Sequence, residues 1–336
     1  MKKNISRNRK FFSRYLFLLL FMGLFFAAEP AAENYPSKPI VVMVPYSAGG
    51  ATDFQARTIT SEAKNGDSFG QPVVILNKPG AGGRIGWDWF ASRAEKDGYQ
   101  LATYNIPHLI AQSIVFKTKY SIDNLEPISN WGADPAVLVV SRISGFKSLE
   151  DLIDYARTNP GRITVSGAGL YVGHHIAFLQ LQKAARIKLN YIPTQGGVPA
   201  LQLVMSEKVS AGFNNLSDAV RNRERLNILA IADLQRNSEF APEIPTFLEL
   251  GYDIDDSSVN FRGLMAPSGT PSSIVDFLAE RSVRMFRNDD VQKRMQTSGS
   301  PMKIMTREEV QRMWRERHAY LSQLLSSLTS EHMPAK

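Results

Sequence analysis

The longest apolar run comes first. Residues 15–26, from Tyr15 to Phe26, follow a basic stretch holding Lys2, Lys3, Arg7, Arg9, Lys10 and Arg14. This run of twelve falls well short of the ~20 apolar residues a bilayer-spanning helix needs, and a basic n-region ahead of it marks a secretory leader rather than an anchor. Residues 1–32 are expected to be a signal peptide, cut between Ala28 and Ala32. Arg7 and Arg9 are not adjacent, so the twin-arginine pattern is not met.

Beyond the leader the apolar bursts shorten to strand length. Residues 40–44, framed by Pro39 and Pro45, are continuously apolar, as a strand buried on both faces is. A glycine loop over 47–53 follows, then helical spacing over 54–64. The same order returns with a strand at 71–76, a glycine loop at 77–83 and a helix at 84–94, and residues 98–104 supply a third strand. Strand, glycine loop and helix in repetition predict the opening half of a doubly wound α/β sheet.

Strands at 127–129 and 137–140 flank residues 131–135, where Gly132 and Pro135 mark a break and a crossing into a second lobe. There the alternation continues: helix 148–157, strand 162–165, loop 166–173, helix 174–185, strand 189–192, helix 198–206, then strands 209–213 and 226–232. Residues 260–267 cross back, and 271–328 carry charge at helical spacing, predicting helices outside the first lobe. The expected organisation is residues 34–132 with 255–330 as the first lobe and 133–254 as the second.

Charge looks informative until the leader is set aside. The full 336 residues carry a net +7, and six of the cations lie in the leader, so the remainder is near +1. A nucleic-acid or anionic-membrane role loses its main support. With no cysteine there is neither a disulfide, a thiolate metal site nor a lipid-bearing thiol.

The glycine loops are the strongest candidates for chemistry. A strand-to-helix loop leaves backbone N–H groups unpaired at a helix N-terminus, which favours an anion, and glycine lets the backbone approach it. Neither first-lobe loop matches a phosphate or dinucleotide fingerprint. The loop Ser166-Gly167-Ala168-Gly169-Leu170-Tyr171-Val172-Gly173 offers the second lobe a matching site. His174 and His175 that follow are adjacent, so on a helix they diverge by ~100° and do not chelate one metal; packing or capping is expected of them. No G-x-S-x-G elbow occurs, Asp53 is placed to cap a helix, and Asp253, Asp255 and Asp256 are expected on a solvated surface.

Together these motifs resemble a family: the substrate-binding proteins of tripartite tricarboxylate transporters, the Bug family. The resemblance spans the chain beyond the leader. It rests on Tyr35-Pro36-Ser37-Lys38-Pro39-Ile40, on Val44-Pro45-Tyr46-Ser47-Ala48-Gly49-Gly50-Ala51-Thr52-Asp53 and on Asn77-Lys78-Pro79-Gly80-Ala81-Gly82-Gly83. Further matches are Asp97-Gly98-Tyr99, Tyr191-Ile192-Pro193, Gly196-Gly197-Val198-Pro199-Ala200-Leu201, Pro245-Thr246 and Ala266-Pro267-Ser268-Gly269-Thr270-Pro271.

The resemblance implies a type II-like periplasmic-binding-protein (Venus flytrap) fold, two doubly wound α/β lobes joined by crossing strands, with a small carboxylate in the cleft. Carried over by position, the first-lobe contacts are Tyr46, Ser47, Gly49, Gly50, Ala51, Thr52 and Asp53. Those of the second lobe are Ser166, Gly167, Ala168, Gly169, Tyr171 and His175, joined by Gly196 and Asn214. No cofactor, metal or catalytic residue is expected, and the protein is expected to act as a periplasmic monomer serving either membrane permease subunits or a membrane sensor.

Two departures from the family pattern concern the ligand. Asn214 stands where an Asp is usual, which argues against an ammonium-bearing ligand, and Tyr171 in a bulkier loop favours an aromatic acid. An exported hydrolase using Asp53 or His175 as base is the competing reading, and the absent serine elbow and thiol weigh against it.

Overall fold

The structure is a computed structural model that describes residues 35–329. The expected leader lies outside them. Two sheets organise the chain. The first begins with β1 (Ile40–Val44), α1 (Ala51–Ile59), β2 (Val73–Asn77), α2 (Arg84–Arg93), β3 (Gln100–Ile106), α3 (His108–Val115) and β4 (Leu125–Asp134). It is completed near the end of the chain by β10 (Asn260–Pro267), α8 (Ser272–Phe286), α9 (Asp289–Thr297), β11 (Met302–Met305) and α10 (Arg307–Thr329). Its strand order is β11-β4-β10-β3-β1-β2, with β1 parallel to β2 and β3, and β10 antiparallel to β3 and β4.

The second sheet comes from the segment between: β5 (Ala136–Ser141), α4 (Leu149–Thr158), β6 (Thr164–Gly167), α5 (Gly173–Ala185), β7 (Asn190–Pro193), α6 (Gly197–Met205), β8 (Ala211–Asn215), α7 (Leu216–Arg221) and β9 (Leu226–Ala232). Its order is β7-β6-β8-β5-β9. The continuous apolar run of β5 follows from its position inside this sheet. Leu138 and Val140 face one core with Phe178, Phe213 and Phe247, while Val137 and Val139 face another with Leu201 and Val204. Successive side chains of a strand point to opposite faces, so a strand covered on both sides is apolar throughout. The helix α4 starts where Ser148 and Asp151 form a reciprocal capping box, each side chain accepting the other's backbone N–H.

Three expectations change. The crossing strand does not break at Gly132: β4 continues to Asp134, and only Pro135 separates it from β5. Gly132 stays in the strand because its bare Cα is needed there, a Cβ lying 2.9 Å from the Pro301 carbonyl oxygen. The helix α1 begins at Ala51 rather than residue 54, its small and polar first turn having the composition of a loop. The segments α3 and β11 were not foreseen.

The acidic stretch is also reassigned. Asp253 is exposed, but Asp255 and Asp256 are engaged. Asp255 caps the 3₁₀ turn Asp256–Ser258, accepting from the Ser257 N–H at 2.9 Å, from Gln180 Nε2 of α5 at 2.9 Å and from the Tyr320 hydroxyl of α10. Asp256 takes both guanidinium nitrogens of Arg317, also on α10. A helix from each lobe is thereby fastened to one turn.

Candidate functional site

The site is built from the carboxyl ends of strands in both sheets. After β1 the chain turns through Tyr46 and Ser47 into α1, whose N-cap is Gly50, with no side chain capping it. The first-turn N–H groups have no acceptor within the helix. The loop is fixed from behind by Asp53, which is 2% exposed. Its carboxylate accepts the Gly49 N–H at 2.8 Å, Asn77 Nδ2 at 2.9 Å and Arg57 Nε at 3.1 Å. Burial pushes the Asp53 pKa up, yet the bonds from Arg57, Gly49 and Asn77 outweigh it and hold the carboxyl below its usual value. Asp53 therefore closes the turn ahead of α1.

A cavity of ≈ 30 Å³ opens beside that helix terminus. On one side it is lined by Tyr46, Ser47, Gly50, Ala51 and Thr52, and at its base by Asn105 at the end of β3, His108 at the start of α3 and Asn260 at the start of β10. The second lobe contributes Ala168, His174, Asn215 and Asp218, and Gly196 to Pro199 bring the uncapped N-terminus of α6. Two helix N-termini thus border one small cavity, one from each lobe, and both favour negative charge.

The hydrogen bonds define what the walls offer. Thr52 Oγ1 accepts from Asn105 Nδ2 at 2.9 Å and from Arg262 Nε at 3.2 Å, which leaves its own proton to be donated. Arg262 is fully buried and pairs at 2.7 Å with the equally buried Asp134. Asp134 in turn holds the second lobe, accepting the Ser217 N–H at 3.1 Å and the Ser217 hydroxyl at 2.5 Å. His174 Nδ1 accepts the Ala168 N–H at 3.2 Å, so the neutral ring carries its proton on Nε2. Burial pushes the His174 pKa down to about 4 and that of His108 well below its usual value, so both rings are neutral near pH 7.

Of the residues expected at the site, Tyr46, Ser47, Gly50, Ala51, Thr52, Ala168 and Gly196 line the cavity. Gly49 and Asp53 lie behind it as described. Ser166 donates to the Ala200 carbonyl at 2.9 Å, and Gly167 is packed under the Tyr191 ring. Gly169 touches Gly82 of the first lobe. Tyr171 packs edge-on against Phe116 and His175, and the His175 ring is drawn into a cluster with Phe178 and Tyr191. His175 Nδ1 accepts the Tyr171 N–H at 3.1 Å, and burial holds its pKa at about 4. Tyr171, the residue on which the aromatic-acid expectation rested, lies outside the cavity lining.

Asn214 donates to the Gly197 carbonyl at 2.9 Å, and the carboxylate in the wall comes instead from Asp218. Burial pushes the Asp218 pKa up, and the neighbouring Arg221 guanidinium works against it. Asn105, His108, Asn215, Asp218 and Asn260 were not anticipated. The signal available was an Asn at the mouth of an apolar strand, at 105, 214, 215 and 260. Among the described residues no group of three or more His, Cys, Asp or Glu stands in metal-binding geometry.

A family model, the tripartite tricarboxylate transporter family receptor, matches residues 56–328. The chain belongs to this family. Protein BugT of Bordetella pertussis is 32% identical over 302 residues, covering 87% of this chain and 91% of BugT. The periplasmic binding protein BugD superposes with a TM-score of 0.79 at 26% identity, covering 88% of this chain and 98% of BugD. MatC from Rhodopseudomonas palustris, solved with bound malate, gives 0.79 at 26% identity, covering 86% of this chain and 99% of MatC. Family receptors of this kind share the two-lobed α/β architecture described above, and no helix among the described residues is long and apolar enough to cross a membrane.

Proposed function

We propose that this chain is a periplasmic solute receptor that closes its lobes on a small carboxylate and delivers it to the membrane subunits of a tripartite tricarboxylate-type transporter, without catalysing a reaction. The observation carrying this reading is the cavity bordered by the N-termini of α1 and α6, with the Thr52 hydroxyl poised to donate. A carboxylate there accepts what the backbone cannot otherwise satisfy. Malate in the related MatC supports the same ligand class. A catalytic role finds little support in the walls, where the imidazoles of His108 and His174 have no thiol or elbow serine beside them.

The reading includes export through removal of residues 1–32, lobes formed by 34–132 with 255–330 and by 133–254, and action as a monomer. Its test is a thermal-shift titration of the purified protein with mono-, di- and tricarboxylates, since a ligand that binds only the native state raises Tm. A saturable rise with one carboxylate class is expected, and a flat response across the panel would sink the reading.

A further inference from the structure

Arg221, the last residue of α7 in the second lobe, divides its guanidinium between the two lobes. Its Nη2 pairs with Asp218, a carboxylate of the cavity wall that is 4% exposed. Its Nη1 donates at 3.3 Å to the carbonyl of Ser298, in the turn between α9 and β11 of the first lobe. The same group lies 5.2 Å from the ring centroid of Phe54, an exposed residue of α1, the helix whose N-terminus borders the cavity. Beside these contacts the two backbones run close: a Cβ built on Gly299 would lie 3.5 Å from Val220 Cβ.

The ion pair with Asp218 stays within one lobe and holds the guanidinium in place. The hydrogen bond to Ser298 and the cation–π contact with Phe54 act between the lobes, and each is stabilising for a charged donor. We propose that Arg221 is the latch of the cleft: anchored on Asp218 in the cavity wall, it holds the second lobe against the first by gripping Ser298 and Phe54. This goes beyond the carboxylate reading and rests on it only for the cavity that the latched lobes enclose. Arg221 is then a positioning residue outside the cavity lining, and it sets how firmly the lobes stay together.

The test needs no solute, so its failure leaves the carboxylate reading to the thermal-shift titration. The chain has no cysteine, and the Val220–Gly299 spacing falls within the ~3.5–4.5 Å Cβ separation of a disulfide. The purified Val220→Cys/Gly299→Cys protein is equilibrated with reduced and oxidised glutathione, and the bridged fraction gives the effective concentration of the two thiols. Adding Arg221→Ala is expected to lower that concentration at least ~10-fold. Phe54→Ala is expected to lower it at least ~3-fold, which fraying of α7 does not explain because Phe54 lies in the other lobe. Asp218→Asn, which removes the charge of the anchor, is expected to lower it as well. No change with Arg221→Ala or with Asp218→Asn overturns the inference, as does a fall with Arg221→Ala that Phe54→Ala does not share. Should Arg221→Ala fail to fold, Phe54→Ala decides alone.

Discussion

Gly82 and Gly169 meet backbone to backbone across the cleft: a Cβ built on Gly169 would lie 3.0 Å from Gly82 Cα, and one built on Gly82 would lie 2.7 Å from Gln112 Nε2. Gln112 also donates across the cleft to the Leu170 carbonyl at 3.0 Å. The contact joins a loop of each lobe in this structure. Both glycines have positive φ, 67° and 143°, so any side chain adds backbone strain to the clash.

Gly169→Ala should therefore bias the protein toward an open form. Ligand affinity is expected to fall at least ~10-fold, as the binding-competent state becomes the minor one. The ligand-free radius of gyration in solution scattering should rise. Wild-type affinity in this variant would mean that the two loops do not gate closure.

Asp53→Ala removes the acceptor of the Gly49 N–H and of Asn77, and leaves Arg57 without its partner. A loss of ~1–3 kcal/mol in urea unfolding is expected, because buried donors go unsatisfied. Ligand affinity should drop as the loop ahead of α1 loosens, and Asp53→Asn should recover part of both. A stability equal to wild type would show the loop to be held by other means.

Acid should destabilise the protein in a defined window. His174 and His175 titrate near 4 when folded and near 6.5 when unfolded, so the unfolded chain takes up protons that the folded one refuses. Their contribution is complete above pH ~6.5 and is lost as pH falls toward ~4, by on the order of 3 kcal/mol each. His175→Asn keeps an acceptor for the Tyr171 N–H and cannot titrate. Its Tm should fall less steeply across that window, and an unchanged slope would remove His175 from the account.

Breaking the buried pair from one side should be severe. Asp134→Ala leaves the Arg262 guanidinium buried without a counter-charge and frees Ser217, and a loss of ~3–5 kcal/mol is expected. The double replacement Asp134→Leu with Arg262→Met should recover much of the stability, while ligand binding stays impaired because Thr52 loses one of the two donors that direct its hydroxyl. Full binding by the stable double variant would show that Arg262 does not act through Thr52.

The lobes, their crossing strands and the loop ahead of α1 were legible because they are local: a proline-framed apolar run, then glycines, then helical spacing. The rest of the cavity was not. Asn105, Asn215 and Asn260 sit at strand mouths far apart in sequence and become neighbours only when β3, β8 and β10 are laid into their sheets. Tyr171 and His175 stand outside the cavity lining for the opposite reason. They lie in a loop of the right type, but aromatic side chains there gain more from packing on Phe116, Phe178 and Tyr191 than from facing a small polar cavity. Asp255 and Asp256 read as surface because their partners, Gln180, Arg317 and Tyr320, are as distant in sequence as the asparagines are from one another.

Those partners set the mechanics of opening. With α5 held by Gln180 and α10 by Tyr320 and Arg317 to the same turn, a helix of each lobe is tied to one short stretch of backbone, so any parting of the lobes that keeps these bonds has to pivot about that corner.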